Sequence, residues 1–148
     1  MCSSDLYILA RDGDNGLAGA NSELKNDLIE EFENKKMFTD YICVRDGVVL
    51  EVDTDVEIVM DKFFKKFEQE FKAKIETKID EFFQLHKWDY NDDLKDNDLI
   101  KVLAEIKEIS SITINFNTND ADNSGSQVFT RFFEIIRPDT TTISFVYT

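Results

Sequence analysis

Residues 41–57 read YICVRDGVVLEVDTDVE and carry two local signals that set the predicted architecture. An Asp-Gly pair, Asp46 and Gly47, separates two runs of β-forming residues, which predicts a hairpin with a two-residue turn. Directly after it, Thr54 and Glu57 have the spacing of a capping box, which predicts the start of a helix. This stretch therefore predicts two paired strands followed by a helix.

That helix is predicted to run from Thr54 towards Trp88. The range contains no Gly or Pro, and apolar residues recur in it at steps of three or four. At 1.5 Å per residue such a helix would be about 50 Å long. Its predicted apolar stripe is Val56, Met60, Phe63, Phe67, Phe71, Ile75, Ile79 and Phe82.

Working outward, the rest of the chain alternates between strand and helix patterns. The further predicted elements are a strand at 6–10, a helix capped by Asn21 or Ser22 and ending near Lys35, a helix at 97–109 capped by Asp96 or Asn97, a strand at 112–116, a helix at 128–136 stopped by Pro138, and a strand at 141–147. The order β-α-β-β-α-α-β-α-β predicts a single α+β domain over residues 1–148, with a mixed or antiparallel sheet of about five strands and one long helix.

Composition narrows the class of protein. The 148 residues are 42% hydrophobic, which predicts one folded domain, and the thirteen Phe fit a Phe-rich core or an oligomer surface. No apolar segment approaches the roughly 20 residues of a membrane span, and the N-terminal residues lack a basic region. We therefore expect no membrane association and a cytoplasmic location. In a reducing compartment Cys2 and Cys43 would both be free thiols.

Negative charge is concentrated in two segments. The net charge is -14, and Met1–Glu33 holds eight acidic and two basic residues, while Trp88–Asp98 holds five Asp and one Lys. Residues 54–87 are nearly balanced, with eight acidic and seven basic residues. Local concentration of this kind favours a basic protein partner and disfavours direct binding to nucleic acid.

The Trp88–Asp98 segment is the strongest candidate site, because aromatic anchors beside carboxylates suit an Arg/Lys-rich surface. The alternative is a solvated loop whose Asp residues cap the next helix and whose Trp packs under the long helix. The acidic face of the first predicted helix is the second candidate. The predicted partner-binding residues are Trp88, Asp89, Tyr90, Asp92, Asp93, Asp96, Asp98, Glu30, Glu31 and Glu33.

A glycine-containing loop lies between a predicted strand and a predicted helix, where a phosphate-binding loop belongs. Gly13, Gly16 and Gly19 are spaced G-x-x-G-x-x-G rather than G-x-G-x-x-G. Asp12 and Asp14 would place negative charge against a phosphate. Binding of a nucleotide or another small ligand by this loop remains an alternative to a mobile surface loop.

Two runs resemble halves of calcium loops. Asp120, Asp122, Ser124 and Gly125 match the first half of the pattern, but its twelfth position is Arg131. A second run places Asp12, Asp14 and Glu23 at positions one, three and twelve, with Leu17 where Gly belongs. Polar turns are the preferred interpretation, and no metal site is predicted.

Catalytic chemistry is not predicted. His86 is the single histidine, and no Cys or Asp stands at a spacing that would assemble a triad or a zinc site. Cys43 alternates with Ile42 and Val44, which favours a packing role. The sequence therefore predicts a protein that is not an enzyme, with no catalytic residue and no cofactor.

Four hypotheses about function follow. An acidic inhibitor of a basic protein is preferred, since bacterial immunity proteins are similar in composition and use carboxylates and aromatic rings to occupy the phosphate-facing surface of a nuclease-like toxin. A phage-encoded anti-defence protein of the anti-CRISPR or anti-restriction type, mimicking nucleic acid, needs the same surface. The third hypothesis is an enzyme or a domain that binds a nucleotide or another small ligand, using the Gly13–Gly19 loop. The fourth is a module that self-associates, for example as a homodimer, through its many Phe residues.

Overall fold

The structure, a computed structural model, describes residues 4–13, 16–34 and 42–148. The α+β class predicted from the sequence is confirmed, although the described residues contain nine strands rather than about five. The chain divides into two compact units, residues 1–49 and 50–148. Predictions that involve Cys2, Asp14, Lys35 or Tyr41 fall outside the described residues.

The described residues of the first unit form four short strands and one helix, followed by the start of a fifth strand. Strands β1 (Ser4–Ile8) and β4 (Ile42–Asp46) pair in parallel. Strands β2 (Ala10–Asp12) and β3 (Gly16–Ala18) pair antiparallel. Helix α1 spans Ser22–Glu33, close to its predicted bounds.

Helix α1 is held by a cap and an ion pair rather than by a buried face. The Asn21 side chain accepts a hydrogen bond from the Leu24 N–H at 2.8 Å, as predicted for an N-cap. Lys25 forms an ion pair with Asp46 of β4 at 2.9 Å. No side chain of α1 is buried, although Phe32 is half-buried.

The predicted Asp-Gly hairpin is wrong. Strand β4 pairs with β1, and the Gly47 N–H donates to the Ile8 carbonyl. The next strand, β5 (Val48–Met60), pairs with β7 and β9 later in the chain. Turn chemistry is a local signal, and here pairing with strands distant in sequence overrides it.

The predicted capping box is also wrong, because Thr54 and Glu57 lie inside β5. Alternate side chains of this strand are buried, which is the period of two expected for a strand with one face inward. The helical segment begins later, where the Asp61 side chain accepts a hydrogen bond from the Phe63 N–H. A 3-10 segment (Lys62–Phe67) then leads into α2 (Glu68–Phe82), so the long helix is confirmed from Lys62 onward.

The main sheet of the second unit has the order β7-β5-β9, with β7 at Ile109–Asn117 and β9 at Glu134–Tyr147. Strand β7 runs antiparallel to β5. Backbone hydrogen bonds place Thr148 beside Met60, and the Thr140 N–H donates to Asp53 Oδ1. Residue numbers therefore rise together on β5 and β9, which run parallel, and the sheet is mixed as predicted.

The core of the second unit lies between one face of this sheet and two helices, α2 and α3 (Asp96–Leu103). Helix α3 ends six residues before the predicted Ile109, and neither Asp96 nor Asn97 is its N-cap, which is Lys95. Buried core residues include Val52, Val56, Ile58, Met60, Phe71, Ile75, Ile79, Phe83, Leu94, Leu99, Leu103, Ile114, Phe116, Val128 and Ile136.

Two polar side chains are buried as well, Thr54 and Arg137. Across the described residues, neither the Thr54 hydroxyl nor Nη1 of Arg137 finds a hydrogen-bond partner. Burial lowers the pKa of the Arg137 guanidinium. Thr54 was predicted to cap a helix, but in the sheet its hydroxyl is buried without a hydrogen bond to a described residue.

The helix predicted at 128–136 is wrong. Strand β8 (Gln127–Val128) pairs with β6 (Leu94–Lys95), and β9 begins at Glu134. Pro138 lies within β9, at the edge of the main sheet, where a missing N–H is tolerated. The strands predicted at 112–116 and 141–147 are confirmed as parts of β7 and β9.

Two further observations bear on the expected environment. Each helix in the described ranges is too short or too polar to cross a lipid bilayer. Cys43 is disulfide-bonded, so the expectation of a free thiol at this position is wrong.

Candidate functional site

Beyond α2 the chain makes a 3-10 turn at Leu85–Lys87 and enters the acidic segment, Trp88–Asp98. Its carboxylates cap their own backbone: Asp89 accepts a hydrogen bond from the Tyr90 N–H, and Asp92 accepts one from the Asp89 N–H, both at 2.8 Å. Asn91 has a φ of 66° and donates its N–H to the Glu134 carbonyl. Side-chain capping and this tie to β9 fix the shape of the turn.

Trp88 packs against the C-terminal end of α2. Its indole Nε1–H donates to the Phe82 carbonyl at 2.9 Å. The indole stacks on the buried Phe83, with centroids 5.7 Å apart, and meets the Phe82 ring edge-on at 5.6 Å. The packing role considered for Trp88 in the sequence analysis is therefore confirmed, and the half-buried ring also forms one wall of a cleft.

This acidic cleft, as we call it, has a volume of about 320 Å³. In the described part of the chain, none of its three carboxylates takes part in an ion pair, although one lysine stands among them. Aromatic faces and unpaired carboxylates both attract a guanidinium or ammonium group. The lining residues are Phe82, Lys87, Trp88, Asp92, Asp93 and Asp98.

Four of the predicted site residues thus come together, namely Trp88, Asp92, Asp93 and Asp98, while three from the same segment do not line the cleft. Asp89 caps the turn, as described above, and Asp96 accepts the Asn97 N–H at the start of α3. Tyr90 is half-buried, and its pKa is raised by that burial and by the charge of Asp89.

Sequence reasoning missed the residue that holds the cleft from the opposite side. The Thr130 N–H donates to Asp93 Oδ1 at 2.8 Å, and the Thr130 hydroxyl donates to the Asp92 carbonyl at 3.1 Å. The contact arises because β6 and β8 pair, with Leu94 opposite Val128. No local pattern could have indicated it, since 37 residues separate Thr130 from Asp93.

The second group of predicted site residues lies in the other compact unit. Glu30, Glu31 and Glu33 are exposed near the C-terminal end of α1. The last turn of α1 contains no basic residue to offset the negative end of the helix dipole. These carboxylates form a charged surface, but no buried side chain of α1 supports them.

The glycine loop predicted between one strand and one helix contains a pair of short strands. Gly13, with a φ of 77°, follows β2, and the chain continues into β3, which pairs with β2. The loop therefore joins two antiparallel strands, whereas a phosphate-binding loop leads from a strand into a helix. Of the three glycines, Gly19 alone lies between a strand, β3, and helix α1.

The calcium-like run forms a hydrogen-bonded polar turn. Asp120 accepts the Asp122 N–H through its carboxylate, and the Ser124 hydroxyl donates to the Asp120 carbonyl. Considering only the described residues, no three His, Cys, Asp or Glu side chains are grouped so that they could hold a metal ion. His86 is exposed in the 3-10 turn after α2.

A groove of similar size, about 360 Å³, runs along α2 and provides a comparison. It contains Lys74, Lys78 and Glu81 and lacks an aromatic wall. Lys78 forms an ion pair with Glu105 at 2.7 Å, and this neighbour lowers the pKa of the Glu105 carboxyl. The α2 groove thus has neither the charge nor the aromatic surface of the acidic cleft.

Neither a protein-family model nor a curated protein matches the chain in sequence. A functional conclusion therefore depends on the chemistry of the chain itself. The acidic cleft is where that chemistry is most concentrated, since it combines carboxylates, aromatic rings and a hydrogen-bonded frame.

Proposed function

We propose that this protein is an acidic inhibitor that binds a basic protein partner through the acidic cleft. The proposal is based mainly on Asp92, Asp93 and Asp98, which line a cleft that has an aromatic wall. None of these three carboxylates forms an ion pair with a described residue. A cationic side chain of a partner would supply the missing charge. The net charge of -14 would increase the rate of encounter with such a partner at low salt.

The cleft suits arginine in particular. A guanidinium can stack on the Trp88 or Phe82 ring and donate to a carboxylate at the same time. Asp93 already accepts hydrogen bonds from Thr130 through Oδ1, which orients the carboxylate before a partner arrives. Preorganisation of this kind reduces the entropy lost on binding.

The partner we propose is a nuclease-like toxin, which makes this chain an immunity or antitoxin protein. A nuclease presents Arg and Lys towards phosphate groups, and the carboxylates of the acidic cleft would occupy that surface in place of phosphates. A phage-encoded inhibitor of a defence enzyme would use the same physical chemistry. The identity of the captured partner distinguishes these two roles.

A cytoplasmic location is part of the proposal, and the disulfide of Cys43 provides a test of it. Disulfides persist in oxidising compartments, whereas thiols are kept reduced in the cytosol. Alkylation trapping of the protein in its host should find Cys43 reduced if the protein acts in the cytoplasm. An oxidised Cys43 would contradict that location and leave the binding proposal intact.

The experiment that tests the function compares two variants with the same change in charge. Asp92→Asn with Asp93→Asn removes two charges from the acidic cleft and keeps an acceptor oxygen for each hydrogen bond. Glu30→Gln with Glu33→Gln removes two charges from α1. Tagged wild-type and variant proteins are purified from the native host, and the co-purifying proteins are compared.

We expect a stoichiometric basic partner with the wild type and with the α1 variant, and little or none with the cleft variant. Added back in equimolar amount, the wild-type protein should inhibit the nucleic-acid-cleaving activity of that partner. Equal retention by the two variants, or a partner whose activity is unaffected, would contradict the proposal. A co-purifying nucleotide in place of a protein would favour the ligand-binding alternative.

A further inference from the structure

Two large aromatic side chains are exposed in the segment that joins β8 to β9. Phe129 is 59% exposed and Phe132 is 65% exposed. The helix predicted for this segment would have turned both rings inward, whereas the structure turns them outward. Exposed aromatic surface next to polar residues is typical of sites that contact another molecule.

The backbone that carries these rings is held in place on both sides. The Asn123 side chain accepts from the Phe129 N–H and donates to the Phe129 carbonyl, both at 2.8 Å. The Arg131 N–H donates to Glu134 Oε1 at 2.8 Å. The segment is therefore fixed around Phe129 before any partner binds, as expected of an anchor residue.

The same segment adjoins the acidic cleft. Leu94 pairs with Val128 across β6 and β8, so the next residues along this ladder are Asp93 and Phe129. The hydrogen bond from the Thr130 N–H to Asp93 Oδ1 continues this pairing. Residues opposite each other in an antiparallel pair project to the same face, so this register, extended by one residue, assigns Phe129 to the same face as Asp93.

We propose that Phe129 and Phe132 form the apolar half of the partner site, and this inference rests on the proposed function of the acidic cleft. The occupant is a basic segment of the partner in which apolar side chains stand between Lys or Arg residues. Its cations enter the acidic cleft, while its apolar side chains cover the two rings. Charge complementarity supports this choice of occupant, since Thr130, which follows Phe129, is hydrogen-bonded to the cleft carboxylate of Asp93.

A third exposed ring provides a matched control. Phe63 is 62% exposed in the 3-10 segment before α2, and the ammonium of Lys66 lies 4.5 Å from the centre of its ring. This ring is as accessible as Phe129, but the Lys66 ammonium already lies over its face. A basic segment should therefore avoid Phe63 and select Phe129.

The test uses two synthetic peptides of equal length and equal lysine content, one with Leu between pairs of lysines and one with Ser at those positions. Affinities for the whole protein are measured by isothermal titration calorimetry. The Leu peptide should bind the wild type about tenfold more tightly than the Ser peptide. Phe129→Ser should remove this difference without changing the affinity for the Ser peptide, and Phe63→Ser should leave both affinities unchanged.

Equal effects of Phe129→Ser and Phe63→Ser, or no effect of Phe129→Ser, would overturn the inference. Thermal unfolding of each variant verifies that it is folded, and Phe132→Ser provides an independent second variant with the same expected loss. Failure of the proposed function looks different: Asp92→Asn with Asp93→Asn would then leave binding of the Ser peptide unchanged. The difference in affinity between the Leu peptide and the Ser peptide tests the two rings independently of the cleft carboxylates.

Discussion

The end of helix α1 and the acidic cleft are both negatively charged, but they differ in how firmly packing and hydrogen bonds hold their carboxylates. Glu30, Glu31 and Glu33 project from a helix with no buried side chain. Asp92 and Asp93 lie in a turn that is hydrogen-bonded to Thr130 and adjoins the packed Trp88 ring. Both segments are equally conspicuous in the sequence, but only the second combines charge with a cleft, aromatic surface and a fixed geometry.

Charge density therefore identifies a surface that attracts cations, whereas charge combined with packed aromatic residues and fixed geometry identifies a binding site. Exposed carboxylates on a helix are screened by salt and contribute mainly to the rate of encounter. A carboxylate that is already oriented, next to a ring that excludes water, can contribute to the lifetime of a complex.

Removing the ring beneath Trp88 should have the largest effect. Phe83 is buried and stacks on Trp88, so Phe83→Ala should lower the free energy of unfolding by about 3–5 kcal/mol. Urea unfolding followed by Trp88 fluorescence measures it, because the chain contains a single Trp. The matched variant Phe32→Ala, in the half-buried face of α1, should leave this transition nearly unchanged. A loss below about 1 kcal/mol for Phe83→Ala would contradict the packing of the cleft wall.

A substitution of Thr54, in strand β5, should stabilise the unit that contains the acidic cleft. The Thr54 hydroxyl is buried without a hydrogen bond to a described residue, so Thr54→Val should raise the free energy of unfolding by about 1–2 kcal/mol. The sign is decisive, because a Thr that caps a helix would lose about 1 kcal/mol on the same change. The midpoint of urea unfolding is the readout, and a lower midpoint would favour the capping role.

Thr130→Val tests the frame of the acidic cleft. It deletes the hydroxyl that bonds the Asp92 carbonyl and Asp93 Oδ1, and it keeps the backbone hydrogen bond. We expect a loss of about 1 kcal/mol in stability. The affinity for a lysine peptide should also weaken, since Asp93 is oriented less firmly. Unchanged affinity would show that the frame does not matter for binding.

The smallest effect is expected at α1. Glu30→Gln removes one negative charge near the C-terminal end of a helix whose last turn has no basic residue. Helix stability should rise by about 0.5 kcal/mol at low salt, and the gain should shrink as salt is added. Circular dichroism during thermal unfolding measures the change. A loss of stability would mean that the Glu30 carboxylate makes favourable contacts that outweigh its repulsion by the helix dipole.

The sequence correctly predicted the elements in which the spacing of apolar residues fits either a helix or a strand but not both. Helix α1, the helical segment from Lys62 to Phe82, and strands β7 and β9 near the C-terminus follow their periodicity. The first part of β5, Val48–Val52, was predicted as a strand, but its remainder was predicted as a helix. Val56 and Met60 are four residues apart, which fits a helix, although Val52, Val56, Ile58 and Met60 also fit a period of two. The capping-box signal at Thr54 then favoured the wrong period.

The candidate site was predicted in part for a similar reason. Composition alone located Trp88, Asp92, Asp93 and Asp98, because rings and carboxylates are visible in the sequence. The contribution of Thr130 depends on the pairing of β6 with β8. The exposure of Phe129 depends on the same pairing, because residues 128–136 do not form the predicted helix. Both are consequences of long-range pairing, which no local pattern reports.

A peptide titration followed by NMR shows directly which acidic surface of the protein a cation occupies first. An oligo-arginine peptide is titrated into the ¹⁵N-labelled protein, and the indole N–H resonance of Trp88 is followed together with the amide resonances of Glu30 and Glu33. The account predicts that the Trp88 signal shifts and saturates at a lower peptide concentration than the α1 signals. Shifts at Glu30 and Glu33 that precede or equal those at Trp88 would contradict it.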